Sequence, residues 1–181
     1  MHPLFTFENS YDVSLFKING TIKFSNHIQP VCVARNVSNI VHKGKYGFVT
    51  GWGTTSYTNI TFPLKLKQAK VPFLEQSECI KEYEGETIID DTLLCAGKKG
   101  IDHCFGDSGG PLVTKHSNGR WFQAGIVSFA IGCGNIKGEM KLSCNMCHNI
   151  NYLNSGFVGV YSRPSAACDF IKNTIGSDIC Q

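Results

Sequence analysis

The sequence has 181 residues, 42% of them hydrophobic and only 17% charged, with a formal net charge of +3 at neutral pH. That length suits one domain or two small ones and can bury a real core, and so low a charged fraction with ample apolar content argues against a disordered chain. The small basic surplus, with no Lys/Arg run interleaved with aromatics, excludes a nucleic-acid partner, and the longest apolar stretch, residues 124–132, is far too short for a membrane segment.

Residues 1–9 have neither a basic n-region nor a long apolar h-region, so no signal peptide is expected among them. Nine cysteines and nineteen glycines are the unusual counts. Nine thiols are rare in a cytosolic chain of this size unless they bind metal or do redox chemistry. Asn19, Asn36 and Asn59 each begin an Asn-x-Ser/Thr sequon. Cysteines and sequons together predict a secreted, extracellular glycoprotein with disulfide bonds. The odd cysteine count leaves one thiol for a partner outside these residues.

In chain order, short apolar runs alternate with Gly, Asn and Pro turns, without repeats or heptads. Strands are predicted over 13–18, 47–53, 64–71, 111–115, 121–129 and 157–162, and residues 25–45 read as a connecting segment. This spacing suits an all-β barrel or sandwich better than alternating βαβ units. One helix is predicted at the end. Ser165 after Pro164 is its N-cap, Ala167, Phe170, Ile171 and Ile175 form its apolar stripe, and Gly176 closes it.

The strongest chemical signal is Gly106-Asp107-Ser108-Gly109-Gly110-Pro111. A serine flanked by glycines can sit on a sharp, exposed turn with its hydroxyl free to meet a carbonyl carbon. The N–H groups of Gly106 and Ser108 can then both point at the oxyanion that develops. A glycine-rich turn without chemistry is the plain alternative, but the flanking sequence supplies further matches.

With that motif the chain resembles the chymotrypsin-like (trypsin-like, S1) serine proteases over nearly its whole length. Met1-His2-Pro3 and the segment from Asn9 to Ile18 resemble the surroundings of the family's catalytic Asp. Gln29-Pro-Val-Cys32 resembles its inter-barrel connector, and Val49-Thr-Gly-Trp-Gly53 its TGWG strand. Leu94-Cys95-Ala96-Gly97, Ile126-Val-Ser-Phe129 and Gly159-Val-Tyr-Ser-Arg163 follow in the family's order. The resemblance implies a trypsin-like double β-barrel. Residues 1–24 would be the end of the first barrel, 25–45 the connector, 46–163 the complete second barrel, 164–176 the C-terminal helix and 177–181 a tail.

The resemblance also implies roles. Ser108 matches the nucleophile and Asp12 the carboxylate that orients the catalytic imidazole. Asp107 matches the residue that pairs with the new N-terminal ammonium after zymogen cleavage, since a buried carboxylate needs such a partner. Asp102, six residues before Ser108, matches the bottom of the primary specificity (S1) pocket and implies cleavage after Arg or Lys. His103, Ser128, Phe129, Ala130 and Gly159 match the pocket walls. His103 is larger than the usual residue there and would narrow the slot, and Ala130 adds a methyl where glycine is usual.

The cysteines fit the same map. Cys79 with Cys95 and Cys104 with Cys133 match family disulfides, while Gly47 and Thr114 replace both ends of another. Cys168 and Cys180 flank the terminal helix and are candidates to pair. Cys144 and Cys147 lie in an insertion, roughly 135–157, and read as a loop disulfide rather than a zinc site, despite the neighbouring His148. Cys32 matches the connector cysteine that often joins a light chain or propeptide, and is expected to stay unpaired here.

No metal or cofactor is implied. The implied partners are a protein or peptide substrate, a light chain through Cys32, and protein inhibitors. The family takes its general base from an Ala-Ala-His-Cys segment upstream of the Asp. None of His2, His27, His42, His103, His116 and His148 has that context. The chain therefore reads as a serine endopeptidase represented in part and inactive by itself. The alternative is a non-catalytic protease homologue that binds partners through the old cleft.

Overall fold

The computed structural model describes residues 1–6, 9–56, 60–133 and 158–180. Six strands, β1 (Tyr46–Gly51), β2 (Lys67–Pro72), β3 (Leu93–Ala96), β4 (Pro111–Lys115), β5 (Trp121–Phe129) and β6 (Gly159–Ser162), form one sheet in the order β2-β1-β4-β5-β6-β3. Every pairing is antiparallel. The sheet curls until its edges meet. Phe73, just past β2, bridges Ala96 in β3, and the Gly97 N–H donates to the Pro72 carbonyl at 3.0 Å. This curled, all-β half-barrel with a helix at the C-terminal end is consistent with the trypsin-like fold that the resemblance implies.

Successive side chains of a strand point to opposite faces, so each strand can feed one interior. In β1 Gly47 and Val49 are buried while Tyr46 faces out, and in β4 Leu112 and Thr114 are buried between exposed ends. β3 and β6 are buried throughout. The main core joins Val49, Val71, Leu94, Leu112, Val127 and Tyr161. Gly125 is required there, because a Cβ on it would lie 2.7 Å from the Cβ of Tyr161.

Helix α1 (Gln76–Glu82) is held on the barrel by the Cys79–Cys95 disulfide. Just beyond it the buried Tyr83 hydroxyl donates to the Val158 carbonyl at 2.6 Å. A single 3-10 turn, Pro164–Ala167, leads into helix α2 (Cys168–Ile175), which ends at Gly176 in the left-handed region (φ 76°). Ala167 and Ile171 pack on Val13, and the Cys168–Cys180 disulfide pins the tail.

Several elements differ from the sequence expectation. Residues 13–18 are not a strand: Val13 is buried against α2, whereas Phe16 is 92% and Ile18 62% exposed. No strand among the described residues pairs with them. β2 begins at Lys67, after a fully exposed Leu64. Ser165 is not an N-cap, because it lies inside the 3-10 turn and α2 starts at Cys168 with no side-chain cap. Helix α1 and strand β3 were not anticipated as elements.

Candidate active site

Ser108 sits on a tight turn that leads into strand β4. The Asp107 N–H donates to the Cys104 carbonyl at 3.1 Å and the Gly110 N–H to the Asp107 carbonyl at 2.8 Å. The Gly109 N–H ties the turn to β5 by donating to the Val127 carbonyl at 2.8 Å. Gly106 and Gly109 have φ of 94° and 77°, a left-handed backbone that favours glycine. Ser108 and Gly106 are exposed, and among the described residues no hydrogen bond uses either N–H.

Asp12 reaches this region on a loop fastened to the start of β3. The Ser10 hydroxyl donates to Asp90 at 2.6 Å, and the Tyr11 N–H donates to the Thr92 hydroxyl at 3.2 Å. Tyr11 itself is left-handed (φ 52°) and stacks on His2 with ring centroids 4.4 Å apart. Burial works to raise the Asp90 carboxyl, but its bonds from Ser10 and Thr92 hold it below its ordinary value. Asp12 then accepts a hydrogen bond from the Ser128 hydroxyl at 2.7 Å. Ser128 was anticipated only as a pocket wall. Its bond to Asp12, and the Ser10, Asp90 and Thr92 clasp, have no signature in local sequence because they join residues about eighty or more positions apart.

Asp107 turns away from Ser108. Its Oδ1 accepts from the Gly53 N–H at 2.8 Å and its Oδ2 from the Cys104 N–H at 2.9 Å. Two glycines of the TGWG segment make this approach possible. A Cβ on Gly51 would lie 2.0 Å from Asp107 Oδ1, and one on Gly53 would lie 2.4 Å from its Cγ. Asp107 and Asp102 both line an open cleft of ≈ 480 Å³ that runs along β1 and β2.

A separate cleft of ≈ 200 Å³ opens beside Ser108, walled by His103, Ser128, Phe129, Ala130 and the Cys104–Cys133 disulfide. Asp102 does not line it. Its side chain is 0% exposed, and Oδ1 accepts the His103 N–H at 2.7 Å. The His103 ring is 4% exposed, and its edge contact with Tyr161 has centroids 5.0 Å apart. Burial lowers the His103 imidazole to about 4, against the opposing pull of Asp107 and the Phe129 backbone. Gly159 is buried beneath both side chains.

Among the other histidines, His2 is buried, and its Nδ1 accepts the Leu4 N–H. His27, His42 and His116 lie in turns elsewhere. Asn19 and Asn36 are exposed. Asn59, Cys144, Cys147 and His148 lie outside the described residues. Cys32 forms no disulfide among the described residues, and its sulfur accepts a bond from Arg120 at 2.9 Å. No described helix is long and apolar enough to cross a membrane.

The family model for trypsin matches residues 1–143. The chain belongs to the trypsin family. It is 37% identical to serine proteinase stubble of Drosophila melanogaster over 74% of its own length and 17% of that protein's. It is 35% identical to ovochymase of Halocynthia roretzi over 92% of this chain and 9% of the relative. It is 36% identical to human serine protease 41 over 68% of this chain and 40% of the relative. The chain thus spans well under half the length of these curated relatives.

Proposed function

We propose that this chain carries the nucleophile half of a secreted serine endopeptidase. The observation that carries the reading is an exposed Ser108 beside a cleft whose wall residue, Ser128, holds Asp12. In the proposed reaction the Ser108 hydroxyl attacks the scissile carbonyl, and an imidazole from outside residues 1–181 takes its proton. Asp12 orients that imidazole and stabilises its charged form, while the Gly106 and Ser108 N–H groups receive the oxyanion. His103 cannot be that base, since an imidazole at about 4 accepts protons poorly near neutral pH.

Asp107 is proposed to receive a new N-terminal ammonium, and the cleft it lines gives that group a way in. Residues 1–24 are proposed as the end of a first barrel, 25–45 as the connector and 46–163 as the second barrel. Cys32 would join a light chain, and Asn19 and Asn36 would carry glycans. A preference for Arg or Lys would need the Asp102 carboxylate to meet the substrate side chain, which the buried His103 opposes.

The second reading, a non-catalytic homologue, is favoured by one observation: no described histidine is both basic near neutral pH and beside Ser108. The coding sequence upstream of Met1, read together with a fluorophosphonate probe on its full product, separates the two. The protease reading expects an in-frame Ala-Ala-His-Cys, an activation site, and a label on Ser108 that Ser108→Ala removes. A continuous coding region with another residue at the His position, and no label, would overturn it.

A further inference from the structure

Two acidic side chains lie close to the nucleophile turn, yet neither opens into the cleft beside Ser108. Asp107 is engaged by backbone N–H groups, and Asp102 lies behind His103. The packing explains why. With no side chain on Gly159, Asp102 and His103 both settle over it: a Cβ there would lie 2.3 Å from Asp102 Oδ1 and 2.6 Å from His103 Cδ2. Tyr161 backs the imidazole on another side. His103 Nε2 stands 4.0 Å from Asp102 Oδ1 and has no hydrogen-bond partner among the described residues.

We infer that His103 sets the primary specificity of this cleft by standing between it and the Asp102 carboxylate, so that the cleft takes an uncharged side chain. The chemistry follows from what remains exposed. The described walls are Phe105, Phe129, Ala130 and the Cys104–Cys133 disulfide with the uncharged hydroxyls of Ser108 and Ser128, and the imidazole stays neutral near pH 7. A guanidinium or ammonium entering such a cleft loses its water and gains no carboxylate contact among the described residues, which is costly for an ion. An aryl or alkyl group loses nothing comparable. Removing the imidazole should expose the carboxylate and reverse the preference.

The substrate language of this inference rests on the protease reading, but its test does not use Ser108. The probes are benzamidine, a cationic aryl ligand, and benzamide, its uncharged counterpart. Both are titrated against the full 181-residue chain and its H103S, H103A and D102N/H103S variants. The native chain should bind benzamide at least as tightly as the amidine. H103S and H103A should bind the amidine at least tenfold more tightly than the native chain does, and D102N/H103S should lose that gain. An amidine preference in the native chain would overturn the inference. So would H103S and H103A showing no gain while peptide mapping and circular dichroism report an intact Cys104–Cys133 bridge and native folding. If neither variant folds, the preference of the native chain decides alone. The same gain in a full-length protein whose native Ser108 neither labels nor hydrolyses would uphold His103 and remove the protease reading.

Discussion

Around Ser108, solvent access sorts polar groups of similar chemistry into different roles. His103 is neutral because it is buried, and that gives stability a pH dependence. Its imidazole is held at about 4 in the folded chain against 6.5 when unfolded. The unfolded chain therefore binds more protons between those values. Stability from this source is complete above about 6.5, declines as pH falls, and levels off below about 4, a loss of roughly 3 kcal/mol. Urea unfolding at pH 7 and pH 4.5 should show the decline in the native chain and little of it in H103S. Asp90 acts in a lower window, since its depressed carboxyl is lost only as pH falls below its ordinary 3.8. In the proposed reaction Ser128 positions Asp12. In a protein that supplies the imidazole, S128A removes a bond to a charged group and should lower kcat/KM about tenfold. D12N should lower kcat by roughly 10⁴-fold with KM little changed. Equal losses in both variants would contradict this division of labour. The Ser108 turn was legible because its glycines and serine are contiguous. The direction of Asp102 was not, because it depends on how His103 packs against Tyr161 and Gly159.

Strands whose outward and inward sides alternate were the easiest to read. The ranges 111–115 and 121–129 coincide with β4 and β5, whose neighbours on both sides are strands. Residues 13–18 carry a similar apolar pattern, but only Val13 and Leu15 pack inward, against the α2 cluster and Ile126, without strand pairing among the described residues. β3 is four buried residues in a row, a pattern without period that suits strand or helix equally. α1 buries only Cys79, so no apolar stripe marks it, and it depends on the Cys79–Cys95 bridge. Replacing both cysteines by serine should cost about 3 kcal/mol for a loop of this size. L112A, which empties a fully buried position where β1, β4 and β5 meet, should cost about 2–5 kcal/mol. Calorimetry of both variants checks these losses, and a negligible loss in L112A would mean that the main core is not packed as described.

Across the whole molecule, large apolar side chains remain on the surface. Phe16 is 92%, Phe24 61%, Phe62 58% and Leu64 99% exposed. Such surface favours association. The 181-residue chain should therefore self-associate in light scattering, and F16S/L64S should reduce that without lowering the melting temperature. The central claim of the proposed reaction is that no described histidine serves Ser108 as a general base. Without one it is an alcohol almost fully protonated near neutral pH, and loss of the histidine in a related mechanism costs on the order of a million-fold in turnover. The direct measurement is intact-mass analysis of the 181-residue chain, made under oxidising conditions and incubated with a fluorophosphonate probe at neutral pH. No adduct that depends on Ser108 should form. A stoichiometric adduct on Ser108, absent from S108A, would show that a base lies within these residues and would contradict the account.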